Sequence, residues 1–175
     1  MSEKMKDAMK DTIIENLELV LGEELKKKNL SISVAESCTG GLLGSRITDV
    51  PGSSAYFMGG MIVYSNEAKI KQLQVAKDTI RKYGAVSEET AREMAKNIRE
   101  LFQTDLGIAI TGIAGPDGGS ARKPVGLVYI GLAYKEDLKV YELKLKGNRE
   151  NNKWLSTEYA LYFTYKYILS KEEFS

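Results

Sequence analysis

Apolar residues recur at three- and four-residue steps over positions 8–28, at Met9, Ile13, Ile14, Leu17, Leu19, Val20, Leu21 and Leu25, ahead of Lys26, Lys27 and Lys28. The spacing predicts an amphipathic helix whose cationic last turn suits the negative end of its dipole, and which Asn29 ends. The run Leu30 to Ala35 predicts a short buried strand leading straight into Glu36-Ser37-Cys38-Thr39-Gly40-Gly41, with helical spacing resuming at Leu42, Leu43 and Ile47. After a turn at Pro51-Gly52-Ser53-Ser54, a second strand is predicted over Tyr56–Tyr64, where Gly59-Gly60 marks a bulge or a close backbone approach. Ser65 and Asn66 are N-cap candidates for a helix through Glu67, Lys69 and Leu73. Ser87, followed by Glu88 and Glu89, caps a longer helix that aligns Ala91, Met94, Ala95, Ile98, Leu101 and Phe102 on one face. A third strand over Leu106–Thr111 opens into a glycine-rich stretch, 112–119. Strands at Val125–Tyr134 and Leu138–Leu145 pair antiparallel about Lys135-Glu136-Asp137, and a last helix runs from Arg149 to Leu169. Helices alternating with buried strands, then a hairpin and a closing helix, predict a layered α/β domain with a mixed sheet.

Composition narrows the chemistry. A chain of 175 residues fits a single domain over 1–175 with one core. With 25 Lys and Arg against 24 Asp and Glu there is no basic surplus to drive nucleic-acid or anionic-membrane binding, so neither partner is expected. The chain has no His, which excludes within it every Ser-His-Asp triad, Cys-His pair and His-ligated metal site. A single thiol, Cys38, forms no internal disulfide and suits a reducing cytoplasm. The N-terminal stretch is charged from its third residue and reads as neither signal peptide nor membrane span.

Three turns rich in glycine or hydroxyl groups follow predicted strands, the edge at which open α/β sheets bind ligands. In the first, Ser37-Cys38-Thr39-Gly40-Gly41, main-chain N–H groups at a helix start can hold an oxyanion, with Ser37 at the lip. Simple capping of the helix by Ser37 or Thr39 accounts for the same residues. In the second, taking Asn66 as the N-cap makes Lys69 the third helical residue, where the dipole disfavours a cation and favours the neutral amine. Without His, a neutral Lys is the natural base for a Ser nucleophile; burial and a helix N-terminus both lower an amine's pKa, and moving it from about 10.4 to near 7 or 8 asks for about 3 to 5 kcal/mol. A solvated surface lysine is the plainer alternative. The third, Thr111 to Ser120, runs on into a strand through Arg122-Lys123-Pro124, so it fails the context of a dinucleotide fingerprint and lacks a P-loop ending. It remains either a loop whose amides enclose a polar ligand or an ordinary connection. The closing helix carries Trp154, Tyr159, Tyr162, Phe163, Tyr165 and Tyr167, enough aromatic surface either to complete the core or to form a homodimer interface.

Several ordered blocks, AESCTGG at 35–41, GGMIVYSNEAK at 59–69, GAVSEETAREMA at 84–95, GIAITGIAGPDGGSARKPVGLVYIG at 107–131 and GNRE at 147–150, resemble the CinA C-terminal domain family over about residues 10 to 170. The resemblance implies a three-layer α/β/α sandwich with a mixed, mostly parallel sheet. It also implies a metal-free, cofactor-free amidohydrolase of pyridine nucleotide salvage, converting nicotinamide mononucleotide to nicotinic acid mononucleotide and ammonia. By resemblance Ser37 is the nucleophile, Lys69 its base and Tyr64 the residue that orients the pair. Cys38, Thr39 and Gly40 supply oxyanion amides, Thr111 and Gly112 belong to the substrate loop, and Arg149 meets the nucleotide phosphate. Lys153 stands where many relatives carry a second arginine. Larger relatives place an N-terminal domain linked to ADP-ribose pyrophosphatase activity before this module, so no pyrophosphatase is expected of these residues. The rival expectation is a catalytically inactive CinA-like module, binding nucleotide or protein in a competence or damage context.

Overall fold

Side chains along the central strands alternate in size, and each size takes its own face of the sheet. The computed structural model describes residues 16–171. In β1 (Ile32–Glu36), β3 (Leu106–Gly112) and β4 (Leu127–Tyr134), the large residues Ile32, Val34, Leu106, Ile108, Ile110, Ile130 and Leu132 join one hydrophobic cluster. That cluster takes in α1 (Leu17–Lys27), α2 (Leu42–Thr48) and α6 (Arg149–Leu169). Ala35, Ala109 and Ala133 belong to a second cluster, with Met94, Ala95 and Ile98 of α5 (Glu88–Phe102) and Ile80 of α4 (Lys77–Tyr83). The small residues let α5 sit unusually close. A Cβ on Gly107 would lie 2.2 Å from Ala95 O, and one on Gly131 would lie 2.4 Å from Ala91 O. Main chain cannot yield as a side chain can, so Gly107→Ala is expected to cost about 2–3 kcal/mol, read as a lowered midpoint in urea with an unchanged slope. A midpoint at the wild-type value would show that the helix can lift off the sheet cheaply.

β2 (Phe57–Ile62) and β5 (Asp137–Lys144) form the edges, giving the order β2-β1-β3-β4-β5. β1 pairs parallel with both β2 and β3, while β3–β4 and β4–β5 are antiparallel, so β4 alone runs against the other strands. The three-layer α/β/α sandwich with a mixed, mostly parallel sheet is the fold observed. Met58 is skipped in the register with β1, which forms a bulge ahead of Gly59, and Gly60 lets β2 approach Val34 closely.

Helix starts follow the polar residues that the chain offers. Ser65, Ser87 and Asn148 each accept an N–H bond, from Ala68, Thr90 and Asn151. Ser65 rather than Asn66 is therefore the cap of α3 (Asn66–Lys71), and Lys69 moves from the third helical position to the fourth. α4 has no counterpart in the hydrophobic pattern, because its cap residue is Ala76 and Ile80 is its one buried side chain. The predicted first helix is seen over Leu17–Lys27, with Asn29 left-handed just beyond it at φ 51°, and its positions 8–15 lie outside the described residues.

Most of the aromatic surplus of α6 closes the core, with Tyr159, Phe163 and Tyr167 buried, whereas Trp154 is exposed and lies against Arg46 at 4.9 Å. Arg46, itself buried, binds Glu18 of α1 at 2.8 Å and Glu158 of α6 at 2.7 Å, tying three helices together. Among the described residues no helix is long and apolar enough to cross a membrane.

Candidate active site

The ends of β1, β2 and β3 meet at one edge of the sheet. β1 lies between its two parallel neighbours, and the chain leaves it toward β2 on one side and reaches β3 on the other, which is the crevice where such sheets place ligands. Ser37 continues β1 into that crevice. Its N–H donates to Ile110 O at 3.0 Å, and the Val63 N–H donates to Glu36 O at 2.8 Å, so both flanking strands fix the residue. Lys69 arrives from α3, one turn after β2 ends.

Lys69 Nζ is buried and has three neighbours: Ser37 Oγ at 2.9 Å, Val63 O at 2.8 Å and Tyr64 O at 3.2 Å. Two of these are carbonyls and can only accept. A neutral amine has two N–H bonds and one lone pair, so satisfying both carbonyls leaves the lone pair facing the one neighbour that can donate, Ser37 Oγ. Burial lowers the Lys69 pKa from its ordinary 10.5 to about 8. The cause is desolvation rather than a helix-start position, since the amine sits beyond the first three residues of α3. Next to it, burial raises the Cys38 thiol to about 12, so that it stays protonated.

The turn after Ser37 is organised by a residue that the sequence does not single out. Glu36 is 1% exposed, and its carboxylate accepts the N–H groups of Gly41 at 3.1 Å, Leu43 at 3.0 Å and Gly44 at 2.8 Å. It thus caps α2 and neutralises the positive end of the helix. Gly40, assigned to the oxyanion amides on sequence grounds, is spoken for: its N–H donates to Ser37 O at 3.1 Å. Cys38 and Thr39 remain, since neither N–H donates to a carbonyl or carboxylate among the described residues. Thr39 Oγ1, buried in the same turn, is without a partner there too, so the hydroxyl does not serve as the cap.

A cavity of about 230 Å³ opens on the pair, lined among others by Tyr64, Thr111, Gly112, Gly115, Asp117 and Arg149. Tyr64 reaches the pair through its carbonyl and not its ring. The phenol is exposed, and its oxygen accepts from Arg149 Nη2 at 3.1 Å, so the expected orienting role falls to the main chain. Thr111 is fully buried and donates to Ala85 O at 2.7 Å, which makes its hydroxyl a wall tie. Gly112 ends β3 against Val128, where a Cβ would clash, standing 2.7 Å from Val128 Cγ2. Arg149, the first residue of α6, stands at the mouth, with Nη1 donating to Gly115 O at 2.7 Å. Two further concavities adjoin it: one of about 550 Å³ beside Pro116, Val125 and Asn148, and one of about 440 Å³ beside Leu42, Lys153 and Trp154.

Asn152 is a second residue that periodicity passes over. Fully buried, it donates to Ala114 O at 3.0 Å and Gly147 O at 2.9 Å and accepts from Gly147 N, fastening the glycine-rich loop to α6. A polar residue on the apolar stripe of a helix is the signal that marks it. Among the described residues no group of three His, Cys, Asp or Glu side chains is placed to hold a metal.

A three-layer α/β/α sandwich with a crevice at the switch point of its mixed sheet is a class of small α/β protein that known sequences and structures identify. The CinA C-terminal domain family matches residues 14–168, and the chain belongs to it. A Halothermothrix orenii protein whose name refers to competence and damage induction is 56% identical over 149 residues, 85% of this chain and 36% of that protein. A CinA-like protein of Dictyoglomus thermophilum is 47% identical over 155 residues, 89% of this chain and 38% of that one. The chain therefore spans little more than a third of the length of these curated relatives. Among solved structures, a competence-damaged protein (CinA) superfamily protein from Klebsiella pneumoniae superposes with a TM-score of 0.86 at 28% identity, covering 89% of this chain and 97% of that one. Another from Escherichia coli gives 0.83 at 34% identity and covers 91% of both chains.

Proposed function

We propose that this domain is an amidohydrolase acting on the carboxamide of nicotinamide mononucleotide through a Ser37–Lys69 dyad. The observation that carries the reading is the three-point setting of Lys69 Nζ, with two acceptor-only carbonyls and one hydroxyl at 2.8, 3.2 and 2.9 Å. Ser37 Oγ attacks the carboxamide carbon as Lys69 takes its proton, and the Cys38 and Thr39 amides receive the oxyanion of the tetrahedral intermediate. Lys69 returns the proton to the departing nitrogen, ammonia leaves, and water resolves the acyl-enzyme by the same route in reverse. The substrate is the one that the resemblance to the family implies, and Arg149 at the cavity mouth supports it, since its guanidinium suits an anionic tail extending past the reacting amide.

Incubating the purified chain with nicotinamide mononucleotide is expected to release ammonia and nicotinic acid mononucleotide in equal amounts. Saturable nucleotide binding with no ammonia would overturn the reading in favour of a non-catalytic binding module.

A further inference from the structure

Four consecutive carbonyls, from Tyr83 to Val86, all accept from side chains. Gly84 O takes the hydroxyls of Ser87 at 2.9 Å and Thr90 at 2.8 Å, and Ala85 O takes Thr111 Oγ1. Tyr83 O and Val86 O both take Lys123 Nζ, at 2.6 and 2.7 Å. Tyr83 ends α4 and residues 84–86 belong to no helix or strand, so these carbonyls need donors from elsewhere. Lys123 supplies two of them from a loop about 40 residues further along the chain. Its own backbone is fixed by a turn in which Ser120 N donates to Lys123 O at 2.8 Å and Lys123 N donates to Ser120 Oγ at 3.0 Å. Gly84 makes room for the ammonium: its φ is +84°, and a Cβ there would stand 2.8 Å from Nζ.

Both tethered parts are walls of the Ser37–Lys69 cavity, with Ala85 and Val86 on one side and Gly115, Asp117 and Gly118 on the other. Among the described residues, no other side-chain hydrogen bond joins the loop 113–126 to the segment 83–86. We propose that Lys123 is a positioning residue, a clasp that holds the glycine-rich loop against the 83–86 segment and so sets the width of the cavity. This rests on the reading that the cavity receives the substrate. The dyad hangs on β1, β2 and α3, so the clasp governs how well substrate is held far more than the chemical step.

The test compares the full chain with Lys123→Met, which keeps the stem and loses the donors, and Lys123→Arg, which keeps donors. Hydrogen exchange without substrate is expected to quicken about tenfold or more in 83–87 and 113–126 of the Met variant, with β1 and β3 unchanged, and to return toward wild type with Arg. With nicotinamide mononucleotide, KM is expected to rise about tenfold for Met while kcat stays within about threefold. Unaltered exchange in both segments overturns the clasp. So does exchange quickened throughout the sheet, or a Met variant that fails to fold, since each marks a general structural role. The exchange result stands even if the wild type releases no ammonia, which separates failure of the clasp from failure of the proposed reaction.

Discussion

Ser37→Ala is expected to lower ammonia release from nicotinamide mononucleotide by on the order of 10⁴-fold or more, with the fold intact. The substitution removes one oxygen from a buried residue, and among the described residues that oxygen's hydrogen bond is to Lys69 Nζ, so the local structure has little else to lose. The main chain of residue 37 stays pinned by Ile110 O, and the Cys38 and Thr39 amides keep their places. Activity left in the variant would come from oxyanion stabilisation and binding alone. A loss of less than about tenfold, measured as ammonia under saturating substrate, would show that Ser37 is not the nucleophile. Cys38 offers no bypass, because burial holds its thiol near 12.

Lys69 is expected to leave a mark on stability as well as on rate. Its amine titrates near 8 in the folded protein against an ordinary 10.5. Between those values the unfolded chain binds a proton that the folded one does not, so stability rises as pH climbs from about 8 toward 10.5, by at most about 3 kcal/mol. Below pH 8 both states are charged and the folded state carries the full penalty. Urea unfolding at pH 7, 8, 9 and 10 should show this rise in wild type and not in Lys69→Met, the difference between them cancelling the tyrosines. A parallel course for the two proteins would mean that the folded amine is not perturbed. The same proton governs rate: kcat/KM should climb about tenfold per pH unit below 8 and level above it, with Lys69→Met falling to the level of Ser37→Ala. Lys69→Arg should be no better, since a guanidinium does not shed its proton in this range.

The sheet and its long helices could be read from the chain because their signals are dense. β1 and β3 are nearly continuous apolar runs, α5 has a Ser cap, two acids in its first turn and a regular stripe, and the hairpin turns at polar residues, Lys135 and Glu136, with Asp137 already in β5. α4 offered one apolar side chain and no cap, too little for any periodic reading. Ser37 and Lys69 stood out as a hydroxyl on a turn and a cation near a helix start. What brings them together is tertiary: the pairing of β1 with β2, which local spacing does not encode. Of the two influences expected to lower the Lys69 pKa, burial and a helix start, burial is the one at work. Glu36 and Lys123 were out of reach for a shared reason. Each is an ordinary polar residue whose partners are main-chain atoms elsewhere in the chain or across a tight turn, and main-chain atoms leave no trace in residue type.

Glu36 bears on what happens after the chemistry. A bare helix start behind a reacting centre attracts any anion and would grip a newly formed carboxylate as firmly as a fleeting oxyanion. Here that electrical attraction is already spent inside the protein, on an acid that never meets solvent. An acid generated at the serine would gain nothing from the helix behind it, and departure would be easier for it than for a product lodged against an uncapped one.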